Sequence, residues 1–580
     1  MLSRFLEVWF VDFEFEAKDG ERPRPVCMVA RELFSGKVIR LFQDELWSCA
    51  GSPYGVGKES LVVAYFASAE LGCHLPLNWP LPENVLDLYA EFRTLTNGLK
   101  LPAGRGLSGA LQYFDLDWLP SLVKESMRQL ALRGGPWSEE EKHALLGYCE
   151  SDVTALSSLF NRMLPQIDLP RALLRGRSMK AVALMEAAGI PVDVAALATL
   201  RSNWKKIQDD LITEVDRDSE VYEGRSFRTD RFQKWVQRER IPWPRSDRGR
   251  LLLNKATFKQ MALRYPQVAP LTNLRSTLSQ IRKLKLTVGT DGRNRTLLSP
   301  FASKTGRNQP STTKSIFGLS AWSRGLIQAE PGRGVAYIDW CQQEFGVAAA
   351  LSGDRAMQDA YTSGDPYLAF AHQAGAVPLE ATKHSHARTR EQFKQCALAV
   401  LYGMGVEGLA GRIGQPSSGA QELISLHRRV YHEYWAWSDA VENYAMLHGK
   451  LHTVFGWTFH ITSETNPRTI RNYPMQANGA EMLRLACCLA TERGVTVCAP
   501  VHDAMLIESS IEGLPGAIEV TRLAMAEASA IVLGGFVLRT AVDKAVYPKR
   551  LLNETGTKMW NKIWAHIDPS KLVAEVQHQV

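Results

Sequence analysis

Three observations predict a multidomain α/β protein. The first ~165 residues alternate short β-rich runs with a long helical pattern, the next ~120 are dominated by helical periodicity, and apolar strand-like runs return near 336–345 and 495–500. At 580 residues the chain has room for two to four domains with substantial cores, and 45% hydrophobic with 22% charged residues is the balance of a globular protein, which excludes a disordered one.

In order along the chain, Phe5 to Phe13, Pro25 to Arg31 and Leu61 to Tyr65 are apolar or β-branched enough for strands, whereas Glu139 to Met163 has helical spacing. From Arg171 to about Thr290 the pattern is helical, clearest in Met179 to Ala188 and Leu197 to Val215. Basic residues at Arg282-Lys-Leu-Lys285, Arg293 and Arg295 suggest a helical arm with a basic tip, where Lys283 and Lys285 would meet phosphates. Ser303 to Thr313 reads as loop and introduces the strand that ends at Asp339. Thr382 to Arg412 and Gln421 to His448 read as helices, His452 to Ile461 as a hairpin, Met475 to Arg493 as a helix, and Val495 to Pro500 as a strand that delivers Asp503.

The surplus of 68 Lys+Arg over 61 Asp+Glu, +7 in all, suits a nucleic-acid partner without establishing one. Nine cysteines, including the adjacent Cys487 and Cys488, show no CxxC or Cys/His ligand spacing. Neither a disulfide framework nor a zinc site is indicated, and a reducing cytoplasm is the expected location. The N-terminus meets acidic residues before any apolar run long enough for a signal peptide, and no run approaches the ~20 residues of a membrane span. The expected protein is neither exported nor anchored.

Asp339 and Asp503 each close an apolar strand-like run, and paired carboxylates at strand ends are what two-metal phosphoryl transfer requires. A single aspartate there is more often a turn former or a helix cap. Between the two lies a helix on which Arg390, Lys394, Leu398 and Tyr402 recur every four residues and share one face. Cations at one end of that stripe and an aromatic at the other suit a nucleoside triphosphate.

Carboxylate, basic helix, carboxylate, in that order, resembles the three motifs of family A DNA polymerases, the class of the bacterial DNA polymerase I large fragment. Asp339-Trp-Cys-Gln-Gln-Glu344 stands where the family commonly has Asp-Tyr-Ser-Gln-Ile-Glu, the helix keeps R-x3-K-x7-Y-G, and the third motif keeps His502-Asp503. Thr305-Gly-Arg307 and Arg468-x3-Asn472-Tyr-Pro-Met-Gln476 match two further family segments.

The resemblance implies that Asp339 and Asp503 bind two Mg²⁺ ions, with Mn²⁺ able to substitute, and that Gln342, Glu344, Arg390, Lys394, Leu398 and Tyr402 bind the incoming nucleotide. Glu344 would be the gate that rejects a ribose 2′-hydroxyl by leaving it no room and no partner. Arg307, Arg468, Asn472, Gln476 and His502 would contact primer and template, partly through the minor groove. Three positions depart from the family: Leu398 replaces an aromatic, Tyr367 replaces a histidine, and Ala504 replaces an accessory glutamate. The bland alternatives are a solvated acid at Glu344 and a solvated basic helix face.

Val11-Asp12-Phe13-Glu14 closes the first strand, and Tyr148-Cys-Glu-Ser-Asp152 lies on the late helix, the frame of DEDD-type 3′–5′ exonucleases. Asp12 and Glu14, two apart on a strand, point the same way. With Asp152 and Glu70 they would hold metal, and Tyr148 would position the attacking water. The middle motif is degenerate, because Phe66 and Glu70 stand where relatives have Asn and Asp; Asp87 nearby reads as structural.

The implied architecture is an RNase H-like exonuclease domain over 1–168, a helical connector and thumb over 169–302, a palm over 303–380 and 456–580, and fingers over 381–455. The chain starts at the exonuclease strand, so no 5′-nuclease domain is expected. The implied partners are primer-template DNA and dNTPs, with no membrane, for a monomer. The competing readings are a polymerase without active proofreading, a single-subunit RNA polymerase, against which Glu344 and Tyr402 argue, and a non-catalytic DNA-binding relative.

Overall fold

The computed structural model describes residues 2–117, 121–282 and 284–573, with the side chains of 121, 122, 280–282 and 555 left aside. Lys283, expected at the basic tip, lies outside the described residues. The chain divides into one unit made of Met1–Gly189, Leu297–Gln309 and Ala336–Asp543 and another made of Ile190–Thr296, Pro310–Val335 and Lys544–Val580.

The first unit opens with strands β1 (Glu7–Glu16), β2 (Arg24–Glu32), β3 (Val38–Phe42), β4 (Ser60–Ala64) and β5 (Asn84–Asp87), in the order β3-β2-β1-β4-β5. β1 runs antiparallel to β2 and parallel to β4. Both faces of β1 are covered: Val8 and Phe10 enter one apolar cluster, and Trp9, Val11 and Phe13 enter the other. This central strand is apolar at both parities over Val8–Val11 for that reason, and its remaining acids, Asp12, Glu14 and Glu16, fall in its second half.

Helices α1 (Ser68–His74), α2 (Leu88–Thr96), α3 (Ser121–Arg133), α4 (Glu139–Met163) and α5 (Leu169–Ala188) surround this sheet. α4 begins at a capping box in which Ser138 and Glu141 satisfy one another's backbone N–H groups. Its Leu145, Cys149, Val153, Leu156 and Phe160 form the buried stripe. The period read from the sequence over 139–163 matches this helix end to end.

A second sheet, in the same unit over its residues from Ala336 to Asp543, has the order β7-β8-β6-β9, with β6 (Arg333–Trp340), β7 (Thr496–Val501), β8 (Ala504–Ser510) and β9 (Thr540–Val546). Helices α6 (Gln343–Ser352), α7 (Ala387–Leu401), α8 (Pro467–Glu492) and α9 (Leu514–Val532) go with it. α8 starts eight residues before the expected Met475, because the Asn466 side chain caps it and Pro467 occupies its first turn. Pro474 lies inside the helix, and its carbonyl accepts from Asn478 Nδ2 at 2.8 Å.

The expected helices 197–215, 382–412 and 421–448 are each two helices. The breaks fall at Asn203, at Gly403 with Gly405, and at Tyr431. Gly403 takes φ +64, a left-handed value that ends a helix cheaply only for glycine.

Within this unit the 301–304 segment is pinned to α2. Arg93 donates to the carbonyls of Phe301 (2.9 Å) and Ala302 (2.8 Å), and Asn97 Nδ2 donates to that of Lys304 (2.7 Å). Beside them Arg175 and Glu91 form a buried two-pronged ion pair at 2.5 and 2.8 Å. Removing either partner would strand the other charge without water.

The second unit is mainly helical, and it contains a cluster of Phe227, Phe232, Trp243 and Phe258 with the Arg275 guanidinium 4.2 and 4.1 Å from the Phe227 and Phe258 rings. Among the described residues no helix is long and apolar enough to cross a membrane.

Candidate active sites

β6 carries Asp339, and the tight β7–β8 turn carries His502, at φ +55, and Asp503. Asp339 and Asp503 are brought close, with Trp340 N–H donating to the Asp503 carbonyl at 3.2 Å and the Asp503 charge acting on Asp339. Burial, then Asp503, then Asp543 push the Asp339 carboxyl up to about 6, and burial raises Asp503 against the pull of His502 and Arg307. Asp543 was not foreseen. On β9, Cys341 N–H donates to the Arg539 carbonyl (2.8 Å) and Tyr547 N–H to that of Arg333 (3.2 Å), an antiparallel register that puts Asp543 diagonally beside Asp339 on the same face.

Of the nucleotide-binding candidates, Tyr402 lies near enough to Asp503 and Glu344 to be acted on by both. Tyr402 follows the last residue of α7 rather than lying on its face, and its hydroxyl is hydrogen-bonded to Glu344 in the first turn of α6. Burial and that carboxylate hold the Tyr402 phenol well above its usual range, so the hydroxyl stays a donor. Arg307 Nε is buried without a hydrogen-bond partner, and the guanidinium acts on both Tyr402 and Asp503. The Gly306 turn beneath it, at φ +74, packs against Trp457 and Arg484, and Arg484 donates to the Gly306 carbonyl at 3.0 Å.

Arg390 is already engaged: its Nε donates to Asp365 at 2.5 Å, and its guanidinium lies 5.7 Å from the Tyr367 ring centre. Lys394 has only a long contact, 3.6 Å to Glu391, and is the freer cation of the stripe. Leu398 is half-buried on the same helix. Gln342, at φ +46, turns its Oε1 to Arg539 (3.3 Å), so its side chain is held by the sheet edge. Arg468, Asn472 and Gln476 follow one another at four-residue steps on α8; Arg468 packs beside Gly403, and Asn472 Oδ1 is buried without a partner.

At the N-terminal sheet, Asp12 and Glu14 on β1, Glu70 on α1, and Tyr148 and Asp152 on α4 converge. Glu70 Oε2 accepts from Phe13 N–H at 2.8 Å, and Tyr148 is hydrogen-bonded to Asp152. Asp12 Oδ2 is buried with no partner. Burial first, then neighbouring carboxylates, raise Asp12 and Glu70 far above their usual range and Glu14 to about 7. Tyr148 is raised as well, so its hydroxyl remains protonated. Asp87 is the cap expected of a structural residue, accepting from Phe66, Ala67 and Tyr89 N–H groups at 3.0, 3.3 and 2.8 Å. In doing so it holds Phe66 in a left-handed turn at φ +71.

The profile of DNA polymerase family A matches residues 258–543. Residues 258–543 belong to DNA polymerase family A. The chain is 26% identical over 464 residues to DNA polymerase I of Aquifex aeolicus, covering 72% of this chain and 76% of that one. It is 27% identical over 256 residues to the DNA polymerase of Mycobacterium phage D29, covering 42% and 40%. Among solved structures it resembles the POL domain of Pol1 from M. smegmatis in complex with DNA primer-template and dNTP, with a TM-score of 0.74 at 16% identity over 94% of this chain and 96% of that one. That likeness establishes the fold.

The family A region thus contains Asp339 and Asp503, while the N-terminal carboxylates lie outside it. Two residues near the latter gave no signal in the sequence. Lys124 of α3 donates to Asp152 Oδ1 at 2.8 Å, and Arg128, one turn on, acts on Glu14. A spacing of four on an unassigned helix is common, and only the packing shows which face it presents. Among the described residues no three Asp, Glu, His or Cys side chains are arranged to hold a metal ion as they stand. The donor sets nonetheless fit a divalent cation: both are oxygen-only, both hold acids raised by burial and then by one another, and one ends in an unpaired buried oxygen.

Proposed function

We propose that this chain is a DNA-directed DNA polymerase that extends a primer from dNTPs and carries a 3′–5′ exonuclease on its N-terminal sheet. The observation that carries the reading is the convergence of Asp339, Asp503, Glu344, Tyr402 and Arg307 within a family A region. Two Mg²⁺ ions held by Asp339 and Asp503, with Mn²⁺ able to replace them, would supply charge neutralisation during transfer.

The rest falls to side chains. The primer 3′-oxygen attacks the α-phosphorus and the bond to pyrophosphate breaks. Lys394, and Arg390 once shared with Asp365, hold the triphosphate. Glu344, fixed by the Tyr402 hydroxyl, occupies the space a 2′-hydroxyl would need, so the nucleotide is a deoxynucleotide. Arg468, Asn472 and Gln476 line the helix face that would meet the minor groove, where every correct pair presents acceptors to their donor groups. Residues 303–380 and 456–580, which supply the four-stranded sheet, then serve as palm, 381–455 as fingers and 169–302 as connector and thumb.

The sheet order β3-β2-β1-β4-β5, with acids on the central strand and a late helix carrying Tyr148 and Asp152, supports an RNase H-like exonuclease. The Asp12, Glu14, Glu70 and Asp152 carboxylates would hold its metal ions. Tyr148, kept protonated, orients the water that attacks the terminal phosphodiester, and the bond to the penultimate 3′-oxygen breaks. Primer extension from 3′-matched and 3′-mismatched primers tests both halves together. Extension of matched primers and trimming of mismatches before extension is the expected result, and a chain that prefers ribonucleotides or extends nothing overturns it.

A further inference from the structure

The N-terminal carboxylate site contains a cation of its own. Lys124 reaches in from α3, a helix packed against both β1 and α4, and places Nζ 2.8 Å from Asp152 Oδ1 and 5.8 Å from the Tyr148 ring centre. Little water surrounds the pair: the side chains are 20% and 12% exposed. The same amine eases the ionisation of Asp12 and Glu14, and Arg128 adds to its effect on Glu14.

α3 is tied to the start of α4 independently, by the two-pronged Arg133–Glu141 pair at 2.8 and 2.9 Å. The lysine is therefore not needed to fasten the helix. What it does have is an oxygen of Asp152, one of the carboxylates that would hold a metal, while Asp12 Oδ2 stays buried and unpaired. Four carboxylates with no counter-charge would resist assembly in so dry a place, and one amine relieves part of that cost.

We infer that Lys124 is a resident cation of this site: it holds Asp152 while no divalent metal is bound, must release it when one binds, and so sets the metal concentration at which the site works. This rests on the exonuclease reading for its purpose but not for its test. An amine that occupies a ligand oxygen and repels a dication weakens metal binding by about tenfold or more at the effective dielectric of a protein interior. On release, the amine is free to meet the phosphate of a DNA 3′ end, which brings its own negative charge.

The test uses the full chain carrying Asp503→Asn, so that the second sheet takes up less metal, and follows Mn²⁺ binding by electron paramagnetic resonance. Asp12→Ala in the same background identifies the N-terminal sites by their loss. Lys124→Met, similar in length without the charge, is expected to bind Mn²⁺ there about tenfold more tightly, and Lys124→Arg to retain the original affinity. In the chain with Asp503 intact, the Mg²⁺ concentration for half-maximal shortening of single-stranded 3′ ends falls in step in Lys124→Met. Unchanged or weaker Mn²⁺ binding in Lys124→Met overturns the inference and leaves Lys124 a structural link. Should Mn²⁺ bind more tightly while no variant shortens DNA, the resident cation stands and the exonuclease reading falls.

Discussion

The two acid sites of this chain are built from the same parts and balanced differently. At the N-terminal sheet four carboxylates crowd into a nearly dry cluster, two of them far above their usual pKa range, with Lys124 inside as a partial counter-charge. On the second sheet Asp339, on a strand, and Asp503, in a tight turn, are partly buried, and His502 and Arg307 act on Asp503. The lesson is one of depth: the buried site needs protein charge merely to assemble, whereas the shallower one can leave its charge balance to ligands.

The largest effect expected from breaking this pair is at the shallow site. Asp503→Ala removes a carboxylate with no substitute in the turn, since Ala504 supplies none, and should cut primer extension on the order of 10³-fold or more. Duplex binding by gel shift and shortening of 3′ ends should persist. Retained extension would take Asp503 out of the reaction. The deep counterpart, Asp12→Ala, should suppress shortening by roughly 10²-fold and leave extension alone. Loss of both activities from either substitution would mean the sites are not separate.

A smaller effect separates the nucleotide pocket from the acids. Glu344→Ala opens the space beneath the sugar and frees the Tyr402 hydroxyl, so the preference for deoxy- over ribonucleotides should fall by about 10- to 200-fold with extension from dNTPs largely kept. Competition between the two nucleotide types in single-nucleotide incorporation measures it. An unchanged ratio would make Glu344 a solvated acid.

How far this was legible follows from the distance over which each residue acts. Alternation and helical period carried the sheets and the 139–163 helix, because each is written in consecutive residues. Asp12 with Glu14, and Tyr148 with Asp152, were readable for the same reason. Lys124 beside Asp152, Asp543 beside Asp339, and Arg390 held by Asp365 depend on which strands and helices become neighbours, and no local period records that. Phe66 shows the converse. Read as a lost polar ligand, it proves to be a left-handed turn residue held by Asp87, and Glu70 reaches the cluster from the following helix regardless.

The smallest effect tests the depth argument directly. Without metal, Glu14 is raised from 4.5 to about 7 and Asp339 from 3.8 to about 6, in both cases chiefly by burial. A carboxyl whose pKa is higher folded than unfolded contributes stability that is complete below its unfolded value and lost as pH rises through its folded value. Metal-free protein should therefore melt at progressively lower temperature from about pH 4 to about pH 7 through these groups, with the Asp339 share spent first and the Glu14 share persisting towards neutrality. Glu14→Gln should flatten the upper part of that slope and Asp339→Asn the lower part. Added Mg²⁺ should raise the melting temperature strongly at the alkaline end, where the folded sites are ionised and bind it, and hardly at the acid end. On acidification the deep site should lose its activity before the shallow one, so the ratio of shortening to extension falls as pH drops through about 7. A ratio that rises instead would mean that Lys124, together with bound metal, cancels the cost of burial and that depth does not distinguish the two sites.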